Sequence, residues 1–156
     1  MVEFSDFQCP YCKQAAISVR SFLERYPGQI TFVYRTLALH KPSFDAAIAG
    51  ACAHEQNRFL EFHDTLFSQS AEIGTKALSQ FAGQLRGLDL LQFDRWLNSD
   101  AAKRLIAKDT ADGRLLKLAG TPTFVINGKK FAGDPGPAAF DSIASLVGLR
   151  RRNASR

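Results

Sequence analysis

Two cysteines three residues apart, in the run Cys9-Pro10-Tyr11-Cys12, stand between a short apolar stretch and an amphipathic one. The spacing constrains the fold more than anything else in the chain. On a helix, positions i and i+3 share a face, so the two sulfurs can meet in a reversible disulfide. Proline fits the first helical turn, where its missing N–H has no partner to lose. Cys9 then falls at the helix N-cap, where free backbone N–H groups and the positive end of the dipole favour a thiolate. Cys12, one turn in, is shielded. The pair is asymmetric: an attacking sulfur with a resolving sulfur behind it. Half of a zinc site is the competing reading, but structural zinc takes about four ligands. The one other cysteine, Cys52, and the histidines His40, His54 and His63 have no partner spacing.

Length and composition fit one domain. The chain has 156 residues, 46% of them hydrophobic and 22% charged, with 13 phenylalanines for a core. No apolar run has the length of a membrane span, and the N-terminus lacks the regions of a signal peptide. The net charge of +5 owes four units to Arg150, Arg151, Arg152 and Arg156. The body is near neutral, without a basic stripe for nucleic acid, and 150–156 reads as a solvated, flexible tail. Cys52 sits among alanines, Ile48 and Gly50, which predicts a core cysteine.

The pattern alternates strands and helices. Met1–Phe4 reads as a strand, Pro10 to about Tyr26 as a helix closed by Pro27-Gly28, and Ile30–Tyr34 as a second strand. Two such strands around a helix are parallel with a right-handed crossover. Helices are predicted from Ser43 or Phe44 to Glu55, from Asn57 or Arg58 to Ser68, from Thr75 to Leu85 with Thr75 as cap, over Leu91–Leu97, and from Asp100, as cap, to Leu118. Thr123–Ile126 and Lys129–Ala132 flank Asn127-Gly128, the strongest short hairpin signal. A loop over Gly133–Gly136 leads to a last helix, Pro137–Val147. His54 and His63 read as packing or surface residues, and His40, which follows the second strand, reads as lying nearer the active-site face.

Three segments together resemble the DsbA-like thiol:disulfide oxidoreductases of the thioredoxin superfamily. They are Val2-Glu3-Phe4-Ser5-Asp6-Phe7-Gln8 with the cysteine motif, the helical residues Cys52-Ala53, Glu55-Gln56 and Arg58-Phe59-Leu60-Glu61-Phe62-His63-Asp64-Thr65-Leu66-Phe67, and Gly120-Thr121-Pro122-Thr123-Phe124-Val125-Ile126-Asn127-Gly128. The resemblance implies an α/β, thioredoxin-like fold (βαβ…ββα, mixed central sheet) with an inserted α-helical domain. The core would comprise 1–40 and 119–149, and the insertion 41–118. Cys9 is implied as the nucleophile, Cys12 as the resolving thiol, Pro122 as a cis-proline facing the disulfide, and Glu3 as a proton relay for Cys12. Thr121, with Pro10, Tyr11 and Pro122, would meet an extended substrate. Tyr11 replaces the histidine often found in the strongly oxidising members, so extreme oxidising power is not implied.

By the same resemblance the protein is an oxidase of thiol-containing substrate proteins, with no cofactor beyond the Cys9–Cys12 disulfide, reoxidised by a membrane quinone-reducing partner. A reductase or glutathione-coupled enzyme runs the same exchange in reverse, and a non-redox peptide-binding module shares the fold. The family implies the periplasm or cell envelope, with the cytoplasm as the alternative. The chain begins inside what should be a central strand. Either the N-terminus is truncated, or an additional edge strand is lacking and Ile30–Tyr34 is an exposed edge able to mediate weak self-association.

Overall fold

The computed structural model describes residues 1–38, 41–69 and 75–151. His40, the side chain of Thr75 and the tail from 152 onward lie outside the described residues. The elements run β1 (Val2–Ser5), α1 (Pro10–Arg25), β2 (Val33–Thr36), α2 (Lys41–His54), α3 (Phe59–Ser68), α4 (Thr75–Gly83), α5 (Leu90–Leu97), α6 (Asp100–Leu115), β3 (Thr123–Ile126), β4 (Lys129–Ala132) and α7 (Gly136–Leu146). This is the thioredoxin-like order, with the helices α2–α6 inserted between β2 and β3.

The strands form one mixed sheet in the order β2-β1-β3-β4. β1 and β2 are parallel, while β1–β3 and β3–β4 are antiparallel. The second strand starts three residues later than the sequence predicts. Parallel register with β1 pairs Val2 with Val33 and Ser5 with Thr36, and Ile30 and Phe32 pack instead against the core under α1 and α7. The hairpin turn carries positive φ at both Asn127 (47°) and Gly128 (80°), the combination of a type I′ turn.

Two smaller boundaries also move. α2 begins at Lys41, ahead of the predicted Ser43, with Pro42 tolerated in its first turn. The cap of α6 is Ser99 rather than Asp100: the Ser99 hydroxyl accepts the N–H of Ala102. The tail is anchored at its start, since Arg150 exchanges two hydrogen bonds with the Gln29 amide.

Two cores meet along α1. Ala15, Val19 and Phe22 join Phe124, Ile126, Phe140 and Ala144 between the sheet and α7. Cys12 and Ala16, on the adjacent stripe of the same helix, join a larger core built with α2–α6 and Phe7. Helical periodicity thus places the second cysteine where the two halves of the molecule converge.

Candidate active site

The turn Asp6–Gln8 aims α1 at the end of the sheet. Asp6 is buried; its Oδ1 accepts the N–H of Gln8 at 2.8 Å and the hydroxyl of Ser43 on α2 at 2.6 Å. Its backbone carbonyl accepts the N–H of Cys9 at 3.0 Å. The turn is therefore tied to its own helix and to the insertion.

Cys9 is the N-cap of α1, with extended backbone (φ −78°, ψ 122°) and no capping bond from its side chain. Its sulfur is left at the open end of the helix, and the first turn of α1 holds no acidic residue to oppose an anion there. Pro10 and Tyr11 are exposed, Tyr11 by 68%. Cys12 is fully buried. Its Sγ accepts the N–H of Asp6 at 3.5 Å, and burial pushes its thiol up to about 12. The three cysteines are free thiols.

The other wall is the segment before β3. The Thr121–Pro122 peptide bond is cis. The Cys9 thiol donates to the Thr121 carbonyl at 3.4 Å. Pro122 is buried, its carbonyl accepting the N–H of Gly133 at 2.8 Å, and the Thr123 hydroxyl is donated back to Gly120 at 2.7 Å. Residues 112 positions apart in sequence thus face each other across the thiol.

Glu3 lies beneath. It is on a central strand with no exposed surface, so it is neither an edge nor a surface carboxylate. Its strand partners are Tyr34 on β2 and Phe124 on β3. Burial among them raises its carboxyl to about 7, with a smaller push from Asp134. The structure brings Cys9, Cys12, Glu3, Pro10, Tyr11, Thr121 and Pro122 to one end of the sheet. His54 lies apart, exposed on α2 against Phe59. His63 is buried among Phe7, Tyr34, Phe59 and Phe67. Cys52 is buried within α2.

Sequence reasoning assigned no role to Asp6 or Ser5. The signal for Ser5 was available: two residues after Glu3 on a strand, it must share that residue's face. Asp6 carried none, because its partner Ser43 is supplied by a separate helix. Among the described residues no group of three or more His, Cys, Asp or Glu is placed to hold a metal ion. A cavity of about 370 Å³ along β2, lined by Phe7, Tyr34 and Phe59, stands apart from Cys9. A depression of about 440 Å³ between α1 and α3, walled by Ala16, Ile17 and Phe67, runs along the helix that carries the motif.

Comparison with known proteins agrees with this geometry. The model of the Thioredoxin_4 family, described as thioredoxin, matches residues 1–144. A thioredoxin-like oxidoreductase from Silicibacter pomeroyi superposes with a TM-score of 0.82 at 27% identity, over 94% of this chain and 84% of that one. The thiol-disulfide exchange protein alpha-DsbA2 of Wolbachia pipientis shares the fold with a TM-score of 0.84 at 20% identity, over 94% and 80%. BdbD of Bacillus subtilis shares it with a TM-score of 0.78 at 22% identity, over 94% and 84%. In sequence, the chain is 38% identical over 150 residues to the Na(+)/H(+) antiporter NhaA 3 of Salinispora tropica, covering 94% of this chain and 22% of the antiporter. It is 37% identical over 157 residues to NhaA 1 of Salinispora arenicola, covering 97% and 24%. The chain spans about a quarter or less of those curated relatives.

Proposed function

The chain belongs to the thioredoxin family, with the fold of its DsbA-type thiol-disulfide oxidoreductases, and from that premise we propose that it is a dithiol oxidase of protein substrates. The observation that carries the reading is the asymmetry around Cys9. A partly exposed sulfur at a helix N-terminus lies 3.4 Å from the carbonyl that precedes a cis-proline, and the second sulfur is buried one turn behind it. The first sulfur is open to a protein thiol; the second is reached from Cys9 alone.

In the oxidised enzyme a substrate thiolate attacks Cys9 of the Cys9–Cys12 disulfide, and Cys12 leaves. The mixed disulfide on Cys9 is then displaced by the substrate's second thiolate. The substrate gains a disulfide, and the enzyme keeps the two electrons as a dithiol. Backbone groups beside Pro122 bind the substrate as an added extended segment, with Thr121, Pro10 and Tyr11 around it. A membrane quinone-reducing partner reoxidises the dithiol, and the protein works in the periplasm or cell envelope, where disulfides persist. The antiporter relatives lend no activity to this reading, which rests on the thiol site. Among the described residues no helix is long and apolar enough to cross a membrane.

Replacing Cys12 by Ala tests the chemistry. The C12A protein accumulates substrate mixed disulfides through Cys9, released by reductant; a peptide-binding module without redox chemistry traps none. The equilibrium of Cys9–Cys12 with glutathione tests the direction. An equilibrium constant in the range of thioredoxin makes the protein a reductase and overturns the oxidase assignment.

A further inference from the structure

Beneath the cysteines lies a buried polar cluster that the thiol exchange does not use directly. Both carboxyl oxygens of Glu3, the hydroxyl of Ser5 and the hydroxyl of Tyr34 are shut off from solvent, and none closes a direct hydrogen bond among the described residues. Such atoms are costly to bury and call for a role. Their placement follows from the sheet. Glu3 and Ser5 are two apart on β1, so they share a face. Tyr34 is the register partner of Glu3 on β2. Phe124, the partner on the other side, packs under α1 and α7, so this row faces the helix that carries Cys12. Cys12 Sγ accepts the N–H of Asp6, the residue next to Ser5, at 3.5 Å, and the Ser5 hydroxyl favours the ionised form of Glu3, Tyr34 and Cys12 alike.

We propose that Ser5 is the proton-relay residue of this enzyme, its hydroxyl passing the Cys12 proton to the Glu3 carboxylate as Cys12 attacks the mixed disulfide on Cys9. The proposal deepens the thiol-exchange reading above and rests on it. Cys12 gives its proton to Ser5 Oγ while Ser5 gives its own to Glu3, so the serine ends unchanged and Glu3 ends protonated. The Cys12 thiolate bonds to the Cys9 sulfur, the Cys9–substrate S–S bond breaks, and the substrate leaves as a thiolate. The Cys12 sulfur is oxidised and the substrate sulfur reduced, while Cys9 stays at the disulfide level throughout. Run backwards, the same path protonates Cys12 as it leaves during substrate oxidation.

Chemistry selects the acceptor. Among the described residues, the charged or titratable groups facing this cluster are Cys9 at the cap of α1, Cys12 within it, Tyr34 on β2, Asp6 after β1 and Asp134 after β4. Tyr34 is held well above its ordinary ionisation by burial and by Glu3, so it keeps its proton. Asp6 Oδ1 is committed to Ser43 and Gln8, and Asp134 to Ser18 and the N–H of Gly136. Glu3 alone joins burial beside Cys12 to an ionisation near 7.

The test follows one chemical step. The mixed disulfide of reduced protein with oxidised glutathione is trapped at low pH and jumped to pH 6–9, and release of glutathione is followed. Wild-type release rises with ionisation of Glu3 and levels off above pH 7–8. In Ser5→Ala, release at pH 7 falls at least tenfold and becomes proportional to hydroxide concentration, as in Glu3→Gln. The double variant is no slower than the slower single one, because both act on one proton path. An unchanged rate and pH profile in Ser5→Ala overturns the relay, and so do rate losses that multiply in the double variant. A wild-type protein that never closes Cys9–Cys12 overturns the thiol-exchange reading itself, whereas normal wild-type release with an unaffected Ser5→Ala overturns the relay alone.

Discussion

Replacing Glu3 with Gln should stabilise the protein, and only above the pH at which a free carboxyl ionises. Glu3 is fully buried in a central strand between Tyr34 and Phe124, and burial moves its ionisation from the ordinary 4.5 to about 7. The folded-state value is the higher, so between 4.5 and 7 the native state holds a proton that the unfolded chain has lost. Native stability therefore falls as pH rises through that window, and the loss is complete above pH 7. At 1.36 kcal/mol per pH unit the loss comes to about 3 kcal/mol, or roughly 10 °C in Tm for a domain of this size. Glutamine keeps the shape without the charge. Urea unfolding of the reduced proteins at pH 4.5, 6 and 8 should give a stability difference that grows with pH in favour of Glu3→Gln, reaching about 3 kcal/mol at pH 8. Cys12 and Tyr34 stay neutral throughout this range and cancel in the difference. A difference that stays flat between pH 5 and 8 would refute the claim that an ionised Glu3 is confined without compensation. A carboxyl poised near neutral pH is suited to accept and return a proton, which is the role proposed for Glu3 above.

Two further outcomes test the site and its frame. In native reduced protein iodoacetamide should modify Cys9 first, while Cys12 and Cys52, 0% and 1% exposed with thiols pushed up to about 12, react only on unfolding; peptide mass mapping that finds equal labelling of the three contradicts this order. Phe7→Ala should cost about 3–5 kcal/mol in urea unfolding, because the Phe7 ring is buried and stacks on Tyr34 at 5.3 Å and against Phe67 at 5.1 Å; a loss below about 1 kcal/mol would mean that this aromatic cluster does not join the insertion to the sheet.

The motif Cys9-Pro10-Tyr11-Cys12, the apolar period of α1, the Asn127-Gly128 turn and the strand–helix alternation are local signals, each set by residues within a turn or two of one another. They were enough for the element order, for the asymmetric burial of the two cysteines, and for a resemblance that joined Thr121-Pro122 to them. Boundaries decided at a distance were read less well. β2 starts at Val33 rather than Ile30 because its register is chosen by β1.

Tertiary structure alone decided which polar residues became the floor of the site. Apart from the resemblance, which implied Glu3, the sequence assigns Ser5 and Asp6 no role and offers Tyr34 as one aromatic in a strand. Parallel pairing sets Tyr34 beside Glu3, the crossing of α1 brings Cys12 above them, and α2 supplies the hydroxyl that holds Asp6. Local preference depends on neighbours along the chain. Ionisation depends on what surrounds a group in space, and burial there can shift it by several pH units. The sequence therefore determined that two sulfurs could react. The packing of β1, β2 and α1 determined which buried groups surround the second of them.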